Sequence, residues 1–416
     1  MVIHFIKKVP KLLDNITPGT SKVLSWEVIL TLFSFPTSVL INRLLGAEDR
    51  GILASAILIP SLTFGIGSCQ WHRLVSGLIT SGSITAQEAW QRTLVYVNKL
   101  SIIFLPIGLL GCAFYQAVPL EIRGVSILYC SIFPIFFITS CLAAIFTAAD
   151  RVSSCYSMRA GSNVTYLLIV GILAIFDRVS VSSIVLTYIA IELMSLLIGL
   201  LHKPDSLPGS KLINTPTFKP LVYGFVPNLF QAMALRIDVW AFLTFSTLVE
   251  LGQYKGIAGL VLPVGILSRA LIANSTAKLD WKNKYLVKRY LMKVIVIFAA
   301  SLISINILTL SSGSYIISKI LGDSFLGGEW IIPWATSLVI MEYLSQQFYS
   351  LLQLSGLHQY YLSMQIIDPI IRIVLVASLG YFLSTLGILL GMIIASLFKS
   401  FACIILYEKS NLDRPI

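Results

Sequence analysis

Residues Ser180–His202 read SVSSIVLTYIAIELMSLLIGLLH, twenty-three residues in which Glu192 is the one formally charged side chain. A helix needs ~20 mostly apolar residues to cross the ~30 Å hydrocarbon core of a bilayer, so this stretch predicts a membrane span. Glu192 falls near its middle, with Tyr188 four residues before it and Ser195 three after. Eleven comparable stretches surround it, near 23–42, 52–71, 96–117, 123–147, 157–176, 221–247, 252–275, 289–310, 329–354, 359–382 and 385–407.

Composition agrees. The 416 residues are 56% hydrophobic and only 12% charged, with a mean hydropathy of +0.87. Soluble domains carry about 25% charged residues, so this chain lacks the polar surface to face water. A soluble enzyme and a disordered chain are both excluded. The expected fold is an all-α polytopic membrane protein of about twelve transmembrane helices. The span between His202 and Pro220 carries Lys203, Pro204, Asp205, Pro208, Gly209, Lys211 and Pro216, and it reads as a linker. It divides the chain into a cytoplasmic tail (1–22), an N-lobe (23–202), a cytoplasmic linker (203–220), a C-lobe (221–408) and a second tail (409–416). Lys7, Lys8 and Lys11 precede no cleavable signal segment, so the first residues read as a tail lying on the membrane surface.

The net charge of +11 reports orientation rather than nucleic-acid binding. With the N-terminus in the cytoplasm, twenty-one Lys and Arg residues fall on the cytoplasmic side. Six fall outside (Arg43, Arg50, Arg123, Arg178, Lys255, Lys319), and Arg236, Arg269 and Arg372 lie within spans. That bias fits an even number of spans with both termini inside. The cysteines Cys69, Cys112, Cys130, Cys141, Cys155 and Cys403 are scattered in or beside apolar runs and read as small hydrophobes, not as disulfides or metal ligands.

Polar residues inside spans mark candidate sites, because a charge at the bilayer centre costs about 2.5–3.5 kcal/mol on insertion scales. Glu27, Thr31, Ser34, Ser38 and Asn42 recur at helical spacing on the first helix, which also holds Pro36. Asn228, Gln231 and Asp238 follow steps of three and seven on the seventh. Two polar stripes on the first helix of each half predict a central cavity, with Ser34, Asn228, Gln231, Arg236 and Arg269 as its lining. The alternative is hydrogen bonding within the helix bundle. Glu27, Asp238, Glu342 and Asp368 are candidates for coupling to H+ or Na+. Glu27 has only Val23, Leu24, Leu30 and Thr31 at i±3 and i±4, so its partner is not on its own helix. Asp368 and Arg372 are four apart and predict an intrahelical ion pair. Glu192 is a further proton or ion candidate. No P-loop and no HExxH occurs, so neither ATP hydrolysis nor a zinc centre is expected, and no cofactor is called for.

Two segments repeat weakly. Leu45-Gly46-Ala47-Glu48-Asp49-Arg50-Gly51-Ile52-Leu53-Ala54 joins the first two spans. Leu251-Gly252-Gln253-Tyr254-Lys255-Gly256-Ile257-Ala258-Gly259 joins the seventh and eighth. Pro60 and Pro263 follow. Six helices in each half imply repeats of the same topology, related by an axis along the membrane normal.

The stretch Ser38–Gly46 followed by Gly51-Ile52-Leu53-Ala54 resembles the first helical hairpin of bacterial polysaccharide flippases of the multidrug/oligosaccharidyl-lipid/polysaccharide exporter superfamily. Arg236-Ile237-Asp238 followed by Leu251–Ala258 is similar to that family's seventh helix and the start of its eighth. The resemblance implies two six-helix lobes around a central cavity. It implies flipping of an undecaprenyl-pyrophosphate-linked oligosaccharide across the bacterial cytoplasmic membrane for surface polysaccharide synthesis. Arg269 is then the nearest match to a pyrophosphate-binding arginine. Implied partners are the lipid-linked glycan, membrane lipids, H+ or Na+, and other polysaccharide-assembly proteins, with no nucleic acid. A cation or drug exporter of the same fold and a membrane-embedded glycan polymerase or ligase are the alternatives. The short outer loops speak against the last.

Overall fold

The computed structural model describes residues 20–202, 219–261, 284–354 and 357–412. These are helical apart from short connections, with no strand among them. In chain order the helices are α1 Thr20–Ala56, α2 Leu58–Gly67, α3 Trp71–Thr80, α4 Ala86–Phe114, α5 Leu120–Ser131, α6 Phe133–Ala148 and α7 Val152–Ile175. Then follow α8 Val181–Leu201, α9 Lys219–Ala234, α10 Ile237–Phe245, α11 Leu248–Val261, α12 Lys284–Ile320, α13 Ile331–Leu354 and α14 His358–Leu412.

Breaks in these helices separate the spans that hydropathy alone separates. Gly46 interrupts α1 with φ 75° and ψ 179°, a conformation essentially restricted to glycine, so α1 holds two segments. Ser384 (φ 50°, ψ −133°) divides α14 in the same way. The fourth span is bent by 45° between α5 and α6. The exposed residues are those expected of chains bathed in lipid. Ile102, Ile107, Leu110 and Phe114 on α4 and Leu168, Ile172 and Ile175 on α7 are all more than half exposed. The chain is a multi-pass membrane protein.

Several boundaries move. α4 begins at Ala86, ten residues before the expected 96, because Thr85 and Glu88 form a reciprocal capping box over its first turn. The second span breaks at Ser68–Gln70, where Cys69 and Gln70 take positive φ (45° and 54°), and resumes as α3. The seventh breaks at Leu235–Arg236, so the helical phase that places Asp238 on the stripe of Asn228 and Gln231 does not carry across. Lys399, counted with the cytoplasmic lysines, lies inside α14 with its side chain only 12% exposed. The cytoplasmic count becomes twenty, still far above six. Most of the linker, Pro263 and Arg269 lie outside the described residues.

Packing gathers the described residues into two compact units. Those within Met1–Ala47 and Trp240–Ile416 form one, and Glu48–Val239 the other. Grouping by packing thus differs from grouping by chain order at the first and seventh spans. The Glu48–Val239 unit has a core of Phe64, Trp71, Tyr96, Phe133, Phe137 and Phe146, in which the Trp71 indole donates to Thr93 Oγ1 at 3.0 Å. The other unit packs Val287, Tyr290, Val294 and Phe298 of α12 against Phe348, Leu351, Cys403 and Tyr407. All six cysteines are buried and free.

The repeated segments serve unlike purposes. Gly46 turns the chain. Gly252 lies within α11, four residues past its first residue, and the corresponding break is upstream at Ser246–Thr247. Gly256 and Gly259 instead permit close approach. A Cβ at Gly256 would collide with the Phe325 ring, and one at Gly259 would lie 2.7 Å from Ser38 Oγ.

Gly46→Ala is expected to destabilise the protein by about 1–3 kcal/mol, the cost of a non-glycine residue at this φ and ψ. Gly77→Ala, in α3 with nothing within 4 Å of a new Cβ, should be neutral or mildly stabilising. Thermal unfolding of the purified variants in detergent tests both.

Candidate functional site

In the Glu48–Val239 unit, the polar residues of α9 meet the broken second span. Asn228 is buried, and its Nδ2 donates to the carbonyls of Gly65 (2.7 Å) and Ile66 (3.0 Å). Those carbonyls belong to the last turn of α2, where the helix stops inside the span. Gln231 Oε1 accepts from Gln70 Nε2 (3.2 Å) and Arg73 Nη1 (3.1 Å). The two residues read from sequence as cavity lining therefore hold α9 against the α2–α3 break. Gln70 and Arg73 complete the cluster. Both lie at or just past the expected end of the second span (52–71), where hydropathy alone gives no sign of a polar cluster.

Asp238 occupies the first turn of α10, where its Oδ1 accepts from Val239 N at 2.8 Å. A carboxylate at a helix N-terminus meets unpaired N–H groups and the positive end of the dipole, which accounts for an acid here. Arg236, half-buried at the break, lies within electrostatic range of Tyr129 on α5.

The same unit contains a second polar group. Glu192, midway along α8, accepts from Thr139 Oγ1 of α6 at 3.1 Å. Tyr166 of α7 donates to the Tyr188 hydroxyl at 3.2 Å, and the Tyr188 ring lies 5.9 Å from that of Tyr129. Arg50 stands within electrostatic range of Tyr166.

In the other unit, the stripe on α1 is partly spent on its own backbone: Thr31 Oγ1 donates to the Glu27 carbonyl at 2.9 Å. Glu27 is buried, Ser34 and Ser38 are half-buried, and Asn42 is fully buried. On α13 and α14 the expected Asp368–Arg372 pair does not form. Arg372 Nη1 binds Glu342 Oε1 of α13 at 2.6 Å and its Nη2 donates to Ser396 Oγ at 3.2 Å. Asp368 Oδ2 binds Lys399 Nζ at 3.1 Å, and that ammonium lies 4.5 Å from the Tyr349 ring centroid. The physical reason is charge balance. One pair between α13 and α14 and one between the two halves of α14 neutralise four intramembrane charges, whereas an Asp368–Arg372 pair alone would leave Glu342 and Lys399 without partners. A further acid, Glu250, is held by the hydroxyls of Ser246 and Thr385.

Glu342 and Asp368 are thus each paired with a cation of the protein itself. Arg269 lies outside the described residues. No group of three or more His, Cys, Asp or Glu residues suited to a metal occurs among the described residues.

Lys399→Met is expected to lower stability by about 3–5 kcal/mol, because it strands the buried Asp368 carboxylate. Adding Asp368→Asn should recover most of the loss. Thermal denaturation of the single and double variants checks the pairing.

No protein-family model matches the chain, and no curated protein matches it. Solved structures do. The lipid II flippase MurJ in an inward closed conformation matches with a TM-score of 0.68 and 13% identity, over 92% of this chain and 87% of that one. The MATE multidrug transporter DinF-BH, solved as a complex, matches with a TM-score of 0.67 and 13% identity, over 96% of each. A MOP-superfamily transporter from Pyrococcus furiosus matches with a TM-score of 0.54 and 14% identity, again over 96% of each. The chain has the fold of these MOP-superfamily transporters.

Proposed function

We propose that this chain is a transporter that moves a lipid-linked oligosaccharide from the cytoplasmic to the outer leaflet of a bacterial cytoplasmic membrane, for surface polysaccharide synthesis. The observation that carries this reading is the fold shared with the lipid II flippase over nine-tenths of this chain. The quoted segments Ser38–Ala54 and Arg236–Ala258 support it through their resemblance to polysaccharide flippases. The obstacle is physical: a glycan and a pyrophosphate must pass ~30 Å of hydrocarbon. Polar side chains along the path supply hydrogen bonds while the lipid tail stays in the bilayer. Alternating access would then expose them to each side in turn. No catalytic step is required. In this reading Arg269 binds the pyrophosphate, since a guanidinium meets two phosphate oxygens at once. A proton or sodium gradient drives the cycle, with buried Glu27 as a coupling residue.

The orientation that goes with this reading places both termini and 278–293 in the cytoplasm. A cysteine replacing Lys284 should resist an impermeant thiol reagent in intact cells, and one replacing Glu48 should react.

A second reading, export of a cationic drug, is favoured by the comparably close fold of the multidrug transporter. Vesicles holding the purified protein separate the two. A fluorescent undecaprenyl-pyrophosphate oligosaccharide should move between leaflets, while the cationic dye ethidium should not accumulate. Arg269→Ala should abolish flipping at normal protein abundance, and Arg269→Lys should restore only part, because lysine lacks the planar fork. Ethidium accumulation without glycan movement would replace the first reading with the second.

A further inference from the structure

Among the intramembrane carboxylates, the structure sorts partners by kind. Glu342 and Asp368 hold Arg372 and Lys399. Asp238 binds a backbone N–H at the start of α10. Glu250, in the first turn of α11, is held by the hydroxyls of Ser246 and Thr385. Glu192 is held by a hydroxyl too, Thr139 Oγ1, but in mid-helix, and no Lys, Arg or His nitrogen lies within 4 Å of it among the described residues.

Its position makes this costly for a carboxylate. Glu192 is the twelfth of the twenty-one residues of α8, so it stands near the bilayer midplane. An ionised carboxylate there, without a counter-charge, is strongly disfavoured. It lowers its energy by taking up a proton or a cation. A hydroxyl suits the protonated state as well as the ionised one, since it can donate or accept. An arginine or lysine would fix the charge.

Three phenols and two arginines belong to the same polar group. Tyr129 of α5 lies within electrostatic range of Glu192. The Tyr188 ring, one turn earlier on α8, lies 5.9 Å from Tyr129 and 5.6 Å from Tyr166, and Tyr166 and Tyr188 share a hydrogen bond. Arg50 stands within electrostatic range of Tyr166, and Arg236 within that of Tyr129. In the proposed orientation α8 runs inward and α7 outward, so Tyr129, Tyr166 and Tyr188 lie in the outer half of their spans, with Arg50 in the first turns after the outer break at Gly46. The phenols thus connect the outer end of the unit to the carboxylate at its middle.

We propose that Glu192 is a proton-binding site of the Glu48–Val239 unit, reached from the outer side past Tyr166, Tyr188 and Tyr129. The carboxylate accepts one proton from hydronium, forming one O–H bond and releasing one water, and returns that proton to water on the cytoplasmic side. This rests on the transport reading for its purpose, but the binding step can be measured without any transported substrate.

Infrared difference spectra of the full-length protein in phosphatidylethanolamine–phosphatidylglycerol vesicles, taken between about pH 4 and about pH 10, bracket the range in which buried carboxyls are known to titrate. A carboxylic C=O band should appear at the lower pH. It should be missing in Glu192→Gln, which keeps an oxygen acceptor for Thr139 and should fold normally. Tyr188→Phe should keep the band but slow its appearance when acid is added outside. A spectrum of Glu192→Gln identical to the native one overturns the proposal. So does a C=O band at Glu192 that does not change with pH, which marks a permanently neutral structural carboxyl. A band that responds to sodium at fixed pH overturns it too, in favour of a cation site. With pyranine inside the vesicles and the fluorescent undecaprenyl-pyrophosphate oligosaccharide added, native protein should couple flipping to proton movement, and Glu192→Gln should move protons no faster than protein-free vesicles. Native protein that titrates at Glu192 but flips no glycan sinks the transport reading and leaves the proton site standing.

Discussion

Hydrocarbon offers no hydrogen-bond partner, so each backbone group freed inside the membrane must be met by the protein itself. That constraint governs where the polar side chains of this chain go. The second span stops at Gly67, and Asn228 supplies an amide to the carbonyls of Gly65 and Ile66. α1 ends at Ala56, and Ser126 donates to its carbonyl at 2.5 Å. α10 begins after Arg236, and Asp238 accepts from Val239 N. α10 ends at Phe245, and Ser384 donates to the Phe245 carbonyl at 2.7 Å. Each break is matched by a polar residue that is remote in sequence or sits at the break itself, so broken helices and intramembrane polar groups are two sides of one arrangement.

The number and approximate place of the spans were legible because hydropathy reports burial in lipid directly. So was the turn at Gly46, where glycine stands before an acidic dipeptide and the apolar run resumes. The breaks at Ser68–Gln70 and Leu235–Arg236 were not legible. Neither contains proline, and a span interrupted for three residues retains its apolar average. Once those breaks are missed, helical phase misleads. Asn228 and Gln231 stay on one face, but Asp238 belongs to a new helix with a separate phase. Ion-pair partners were hidden for another reason. Spacing on one helix exposes Asp368 and Arg372 as neighbours, yet the geometry that decides their partners comes from α13 and from the second half of α14, which no local pattern encodes. Lys399 was misplaced for the same reason: a lysine near the end of an apolar run looks interfacial until Asp368 is seen opposite it.

The two similar segments illustrate how far a repeat can be read. Leu45-Gly46 and Leu251-Gly252 look alike in sequence, and both precede Gly-Ile and small residues. The backbone uses the first glycine for a conformation that other residues resist, and places the second in a helix. The later glycines of the second segment serve close packing, where Gly256 meets Phe325 and Gly259 meets Ser38. Similarity of composition at a helix junction is therefore evidence of a common architecture, and not of equivalent residues.

Charge settles what the remaining acids can do. Glu342 with Arg372 joins α13 to α14, and Asp368 with Lys399 joins one half of α14 to the other, so removing either member of a pair leaves its partner's charge stranded. Such pairs stiffen a bundle. An acid held by hydroxyls meets no such penalty, because a hydroxyl reorients to serve either protonation state. Glu192 with Thr139 is of this second kind, and Glu250 with Ser246 and Thr385 is as well. They differ in depth. Glu250 lies in the first turn of α11, beside the free backbone N–H groups of a helix start, whereas Glu192 lies at the middle of α8, far from any helix end. Position along the helix, added to the kind of partner, is what separates Glu192 from Glu250.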